Sequence, residues 1–293
     1  MRKARSTAVP ALLAGWFLAA QGAPPPPYPP PGRMVDAGGY RVHLYCTGEG
    51  SPTVIVAGAG YSFDWALVQP EVSRFTRICT YDVSGTAWSE PGPALTCSGR
   101  VEELHTILNK AGIRGPYILA GFSIGGLIER RYADLYPNEV VGMVIVDHAF
   151  IDAGSGDPPA ESVSGPDSPP VLISKTPIIP TVEQTSDFGN LPERSRALHR
   201  WADTLNPALP TVETARECLA LIGDARLGDM PLAVVSTAND HPNYRKLQAQ
   251  LLTLSSRSIQ LFAEKSFHSV EIDQPDIVVA AIRQVFERLS RRD

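Results

Sequence analysis

Ser123 stands at the centre of Gly121-Phe122-Ser123-Ile124-Gly125, directly after the apolar run Tyr117 to Ala120 and directly before a segment with helical patterning. G-x-S-x-G between a strand and a helix is the pattern of a nucleophile elbow, a turn tight enough to hold its central hydroxyl up above a sheet. Gly121 and Gly125 omit side chains that would collide with the neighbouring strand or helix. A serine hydroxyl is a poor nucleophile at neutral pH. It needs a base within hydrogen-bond reach, and the base needs a partner that fixes its tautomer. Of the six histidines, His268 is the expected base. It lies in Lys265-Ser266-Phe267-His268-Ser269, after the last strand-like run, and completes the chain order Ser…Asp…His. The chemistry such a set performs is attack on an electron-poor carbonyl carbon.

Attack of that kind develops an oxyanion, which calls for two amide N–H donors. The backbone of Ile124, right after the nucleophile, is one expected donor; Ala59, in the Gly58-Ala59-Gly60 turn, is the other. The start of the helix after Ser123 adds its positive dipole end. His43, His105, His199 and His241 are scattered and read as structural or solvent-facing, and His148 as a rim or cap contact. Trp65 and Trp201 read either as pocket lining or as core. No Cys/His spacing suggests a metal site.

These residues need a frame. Met34 to Asp36 and Arg41 to Cys46, separated by Gly38-Gly39, read as a hairpin. Thr53 to Ala57 is apolar throughout, as expected of a strand covered on both faces. A helical stretch over Trp65 to Phe75 leads to a strand at Arg77 to Tyr81. Val101, Leu104, Ile107 and Leu108 share one face of a helix. After the elbow strand and its helix (Leu127 to Leu135) comes the strand Val140 to Val146. Beyond His148 the composition shifts to Gly, Pro, Ser and Asp, with helices at Glu193 to Asp203 and Val212 to Ile222. Residues of about 149 to 228 therefore read as an insertion, a cap over one edge of the sheet. The strand–helix rhythm then resumes with Pro231 to Val235, Tyr244 to Leu254, Ser258 to Ala263 and Ile277 to Leu289. Strands alternating with helices at this spacing argue for an α/β architecture with a parallel sheet.

The chain has 293 residues, 43% hydrophobic, enough for one large α/β domain. A net charge of −5, with basic clusters only at the two ends, argues against a nucleic-acid partner. At the N-terminus, Arg2, Lys3 and Arg5 precede an apolar run from Val9 to Ala20, then Ala20-Gln21-Gly22. That is the layout of a signal peptide over residues 1–22, too short to span a bilayer comfortably. Export to the periplasm or beyond is the leading expectation; an uncleaved membrane anchor is the alternative. Residues 23–33 form a proline-rich linker, leaving 34–293 as the folded domain. The four cysteines fit an exported protein and allow three pairings. Cys46–Cys79, in two strand-like runs, and Cys97–Cys218, in two segments placed above the sheet, are the preferred ones.

From residue 34 onward, the order of strands, glycine turns, elbow, insertion and C-terminal histidine resembles the α/β-hydrolase superfamily. Within it, His43-Leu44-Tyr45-Cys46-Thr47-Gly48, Asp64-Trp65, Tyr81-Asp82, Trp88-Ser89, Gly115-Pro116-Tyr117 and Asp273-Gln274-Pro275 resemble a bacterial group of exported or membrane-anchored hydrolases. Two stretches depart from that group: Phe122 replaces its usual histidine, and Val83-Ser84-Gly85-Thr86-Ala87 replaces an Arg-Ala-Gly-Tyr-Gly stretch. The resemblance implies an α/β-hydrolase fold, a mostly parallel central sheet flanked by helices with an inserted cap. It also implies a Ser-His-Asp triad that needs no metal or organic cofactor. Asp240, at the usual acid-to-base interval before His268, is the preferred acid; Asp147, at the end of the preceding core strand, is the alternative. The expected activity is hydrolysis of a small-molecule carboxylic ester through an acyl-enzyme. Peptidase, lactonase and cofactor-free haloperoxidase chemistry use the same triad. Epoxide hydrolase and dehalogenase chemistry would need an aspartate at position 123. A non-catalytic ligand-binding module is the non-enzyme reading, and the intact Ser, His and Asp stand against it.

Overall fold

The computed structural model describes residues 24–57, 60–93, 96–148, 151–152, 176–177, 188–205, 207, 209–223, 225–237 and 244–290. Ten strands are assigned there: β1 (Arg33–Asp36), β2 (Arg41–Thr47), β3 (Thr53–Ala57), β4 (Ile78–Tyr81), β5 (Tyr117–Phe122), β6 (Val140–Val146), β7 (Ile151–Asp152), β8 (Thr176–Pro177), β9 (Leu232–Thr237) and β10 (Ser258–Ala263). Eight of them form one sheet in the order β1-β2-β4-β3-β5-β6-β9-β10. Strand β2 runs antiparallel to both its neighbours, and every other pairing is parallel. β7 and β8 pair separately.

The helices are α1 (Gln69–Val72), α2 (Cys97–Lys110), α3 (Ile124–Leu135), α4 (Glu193–Ala202), α5 (Val212–Ile222), α6 (Tyr244–Gln250), α7 (Val270–Asp273) and α8 (Pro275–Ser290). They cover both faces of the sheet. Side chains alternate across a strand, so β5 sends Tyr117 and Leu119 to one core and Ile118 and Ala120 to the other. The first core is closed by α2, α3 and α5, the second by α8. Burial on both faces is why β3 and β6 carry almost unbroken apolar runs.

Three expectations are refined. The helical stretch at 65–75 is a 3-10 turn, Ser62–Trp65, followed by the single turn α1 with Pro70 near its start. Trp65, read from sequence as pocket lining or core, packs in the second core with Val54, Val56 and Ile118. Within the inserted segment, α5 joins the main core through Ala215, Cys218 and Ile222. The disulfide Cys97–Cys218 fastens it to α2, and Cys46–Cys79 links the facing residues of β2 and β4. Residues 1–22, with the expected signal peptide, lie outside the described residues.

The proline tract lies on the body of the protein. Trp201 donates its indole N–H to the Pro24 carbonyl (2.8 Å), and Trp88 donates to that of Tyr28 (3.3 Å). Arg194 donates to the Pro29 carbonyl (3.3 Å), with its guanidinium 4.9 Å from the Tyr28 ring centre. His43, buried and 2.7 Å from Asp82 through Nδ1, meets the Pro31 carbonyl with its other nitrogen. The tract therefore touches both the sheet domain and α4.

Candidate active site

Strand β5 delivers Ser123 and α3 begins one residue later, as the elbow pattern requires. Ser123 has φ 54° and ψ −122°, a region a non-glycine residue rarely enters. Its N–H donates to the Val146 carbonyl (2.9 Å), which ties the elbow to β6. Gly121 makes the turn possible: a Cβ there would lie 2.6 Å from the Gly125 carbonyl carbon and 2.6 Å from the Glu129 carboxyl. Ile124 opens α3, so its N–H belongs to the first turn, whose amides have no carbonyl partner within the helix. Ala59 lies outside the described residues.

His268 sits in the loop between β10 and α7. Asp273 fastens this loop, accepting from the Phe267 N–H (3.3 Å) and the Ser266 hydroxyl (3.4 Å). The imidazole Nε2 is 2.9 Å from Ser123 Oγ, and Nδ1 is 2.5 Å from Asp147 Oδ2. The ring centre of Phe122 lies 4.6 Å from that of His268.

Asp147, the residue after β6, has φ 44°, a kink at the strand's end. Its side chain is 2% exposed, against 21% for His268. Oδ1 accepts from the Thr237 hydroxyl (3.0 Å), the Thr237 N–H (3.4 Å) and the Tyr244 hydroxyl. Gln248 in turn donates to the Tyr244 oxygen (2.7 Å). Asp147 is thus a buried carboxyl whose oxygens are met by donors, as a buried polar group requires. Asp240, the preferred acid from sequence, lies outside the described residues, as does His241.

Two buried carboxyls have other settings. Burial pushes Glu129, on α3 beneath the elbow, well above the usual carboxylate range. Burial also raises Glu271 on α7, with the nearby Asp64 charge adding to it. Sequence reasoning passed over Thr237, Tyr244 and Gln248. A threonine ending a strand and a tyrosine opening a helix carry no local mark of contact with an aspartate 90 residues or more away. His43 and His199, read from sequence as structural or solvent-facing, are both buried against aspartates, Asp82 and Asp64. His105 is half-buried against Glu139.

A cavity of about 410 Å³ opens between α4 and the Ser62–Ala66 turn, walled by Phe63, Trp88, Leu198 and Arg194. Neither Ser123 nor His268 borders it. Among the described residues no cluster of histidine, cysteine and acidic side chains could hold a metal ion.

An imidazole between a strained serine hydroxyl and a buried carboxylate, on a sheet of this topology, is the architecture of a hydrolase. A profile of the alpha/beta hydrolase family matches residues 53–281, and the chain belongs to that family. Among proteins similar to it, an uncharacterized protein of Bacillus subtilis, YqjL, is 25% identical over 246 residues, 80% of this chain and 84% of its own. The 2-hydroxy-6-oxo-2,4-heptadienoate hydrolase of Pseudomonas putida is 31% identical over 121 residues, 39% of this chain and 44% of its own. In structure, a meta-cleavage product hydrolase from Pseudomonas fluorescens matches with a TM-score of 0.63 and 16% identity. That match covers 88% of this chain and 98% of the other, and at such identity it speaks to the fold alone.

Proposed function

We propose that this chain is an exported serine hydrolase that cleaves a carboxylic ester through an acyl-enzyme. Ser123 Oγ attacks the ester carbon as His268 Nε2 takes its proton. The imidazolium then passes that proton to the leaving alcohol, and a water deprotonated by the same nitrogen releases the acid. Asp147 holds the imidazole in the tautomer that presents a bare Nε2 and stabilises its charged form. The N–H groups of Ile124 and Ala59 receive the developing oxyanion. The observation that carries the reading is the His268 imidazole, 2.9 Å from Ser123 Oγ and 2.5 Å from Asp147. Two disulfides support an oxidising compartment, and the basic-then-apolar N-terminus supports a signal peptide. Among the described residues no helix is long and apolar enough to cross a membrane.

The direct test is a fluorophosphonate probe together with a series of p-nitrophenyl esters of increasing acyl length. Wild-type protein should be labelled and should turn over at least one short ester, whereas Ser123→Ala should do neither. A wild-type protein as inert as the variant would favour the binding-module reading. The 31% identity to the P. putida enzyme favours a second reading, in which the same serine acts on an oxo-dienoate acid. Turnover of such an acid with indifference to the esters would select it.

A further inference from the structure

The cavity between α4 and the Ser62–Ala66 turn has the make-up of a binding site. Its volume of about 410 Å³ is that of a small-molecule pocket. Phe63, Trp88 and Leu198 give it an apolar wall. The Phe63 and Trp88 rings meet edge to face there, with centres 5.8 Å apart, an arrangement that leaves room for a further ring to join the cluster.

Its polar groups are of one kind. Among the described residues no carboxylate lines the cavity, and Arg194 is the one charged side chain that does. Arg194 gives one guanidinium nitrogen to the Pro29 carbonyl, and the rest of the fork makes no hydrogen bond to a described residue. Its neighbour Glu193 is held by Arg196 and Arg200, at 2.7 and 2.9 Å. Ser62 and Ser195, both at the wall, are each 5% exposed, yet among the described residues neither hydroxyl has a hydrogen-bond partner. The Thr47 hydroxyl, also at the wall, is buried without one. Buried polar groups are normally paired, so unspent hydroxyls around a cavity mark where a ligand's polar atoms would be received. Arg194 and Ser195 also belong to the first turn of α4, whose N-cap, Pro192, offers no side-chain acceptor. Amides of that turn have no partner within the helix and favour an anion.

We propose that this cavity is a second binding site, one that takes a small aromatic carboxylic acid. The Arg194 guanidinium and the Ser195 hydroxyl meet the carboxylate at the start of α4, and the aromatic body lies against Phe63, Trp88 and Leu198. Binding there does not require that Ser123 react, since neither Ser123 nor His268 lines the cavity.

The test titrates the isotope-labelled full chain with 3-phenylpropanoate and follows the indole N–H resonances, that of Trp88 being identified with Trp88→Phe. The Trp88 signal should shift and saturate with a Kd of about 1 mM or below. The alcohol 3-phenylpropan-1-ol, with the same body and no charge, should bind about tenfold more weakly. Acetate, a head without a body, should leave the signal in place. Arg194→Gln should bring the acid down to the affinity of the alcohol and leave the alcohol unaffected. Ser195→Trp should fill the cavity and abolish both; Arg194 is exposed, so Arg194→Gln decides even if Ser195→Trp does not fold. A Trp88 signal indifferent to 3-phenylpropanoate up to its solubility would overturn the site, as would wild-type affinity in a folded Ser195→Trp. Equal affinities for acid and alcohol, or an equal loss of both in Arg194→Gln, would overturn the recognition of a carboxylate. A protein inert to every ester that still binds the acid in this way would count against the esterase reading and for the site.

Discussion

Two buried carboxyl groups lie close to the elbow and are treated in opposite ways. Asp147, at the sheet edge, is met by the Thr237 hydroxyl and N–H, the Tyr244 hydroxyl and the His268 imidazole. Glu129, beneath Gly121, has no aligned hydrogen bond on either oxygen; only the Ala57 backbone offsets its burial, which drives its carboxyl well above the usual range. Depth is similar in both cases; what differs is the supply of donors. A buried carboxyl that few donors meet holds its proton to higher pH, as Glu129 does. The fold concentrates donors on the carboxyl that faces an imidazole and leaves the one under the turn almost without them.

The largest test of this contrast is Asp147→Asn. The amide keeps the shape but favours the wrong imidazole tautomer, and kcat should fall by about 10⁴-fold with the fold intact by circular dichroism. Activity near wild type would break the contrast and return attention to Asp240. Tyr244→Phe removes one donor from Asp147 and should cost about tenfold in kcat, in line with roughly 1–3 kcal/mol for an unsatisfied buried acceptor. An effect on KM alone would show that Tyr244 serves the substrate instead.

The third test concerns stability. Glu129 is neutral in the folded chain over a range in which the unfolded chain, with a carboxyl pKa of about 4.3, has already lost the proton. The folded state then binds more protons, so this group's contribution is full below the unfolded value and declines as pH rises toward the folded one. The slope is about 1.4 kcal/mol per pH unit inside that window. Glu129→Gln should lose that slope, gaining stability over wild type between pH 5 and 8 in urea titrations, with activity unchanged. Parallel curves for the two proteins would mean that Glu129 is ionised after all.

Much of this site is written locally. The elbow is contiguous, its strand and helix are contiguous with it, and its glycines are small for reasons visible in the pattern. His268 sits in a loop whose place follows from strand and helix order. The carboxylate on His268 is harder to read, because β6 and β9 are parallel neighbours in the sheet and the sequence offers an aspartate after each. Asp147 has a backbone kink at φ 44° and a tyrosine from α6 beside it, neither of which has a signature in the run Val144-Ile145-Val146-Asp147. Asp64 and His199 are illegible for the same reason: their meeting depends on where α4 docks. Aromatic residues at 61, 63, 88 and 201 likewise look unrelated until the chain gathers them into one cluster.

The way residues 24–31 lie across Trp88, Arg194 and Trp201 bears on how the molecule can be shortened. A fragment trimmed to the span shared with the family, 53–281, would discard that belt along with β1, β2 and half of the Cys46–Cys79 bridge. Two indole N–H groups would be stripped of their carbonyls, and the helix bearing His199 would lose its outer brace. A chain shortened to 53–281 should therefore melt at a lower temperature than one that keeps residues 24–52.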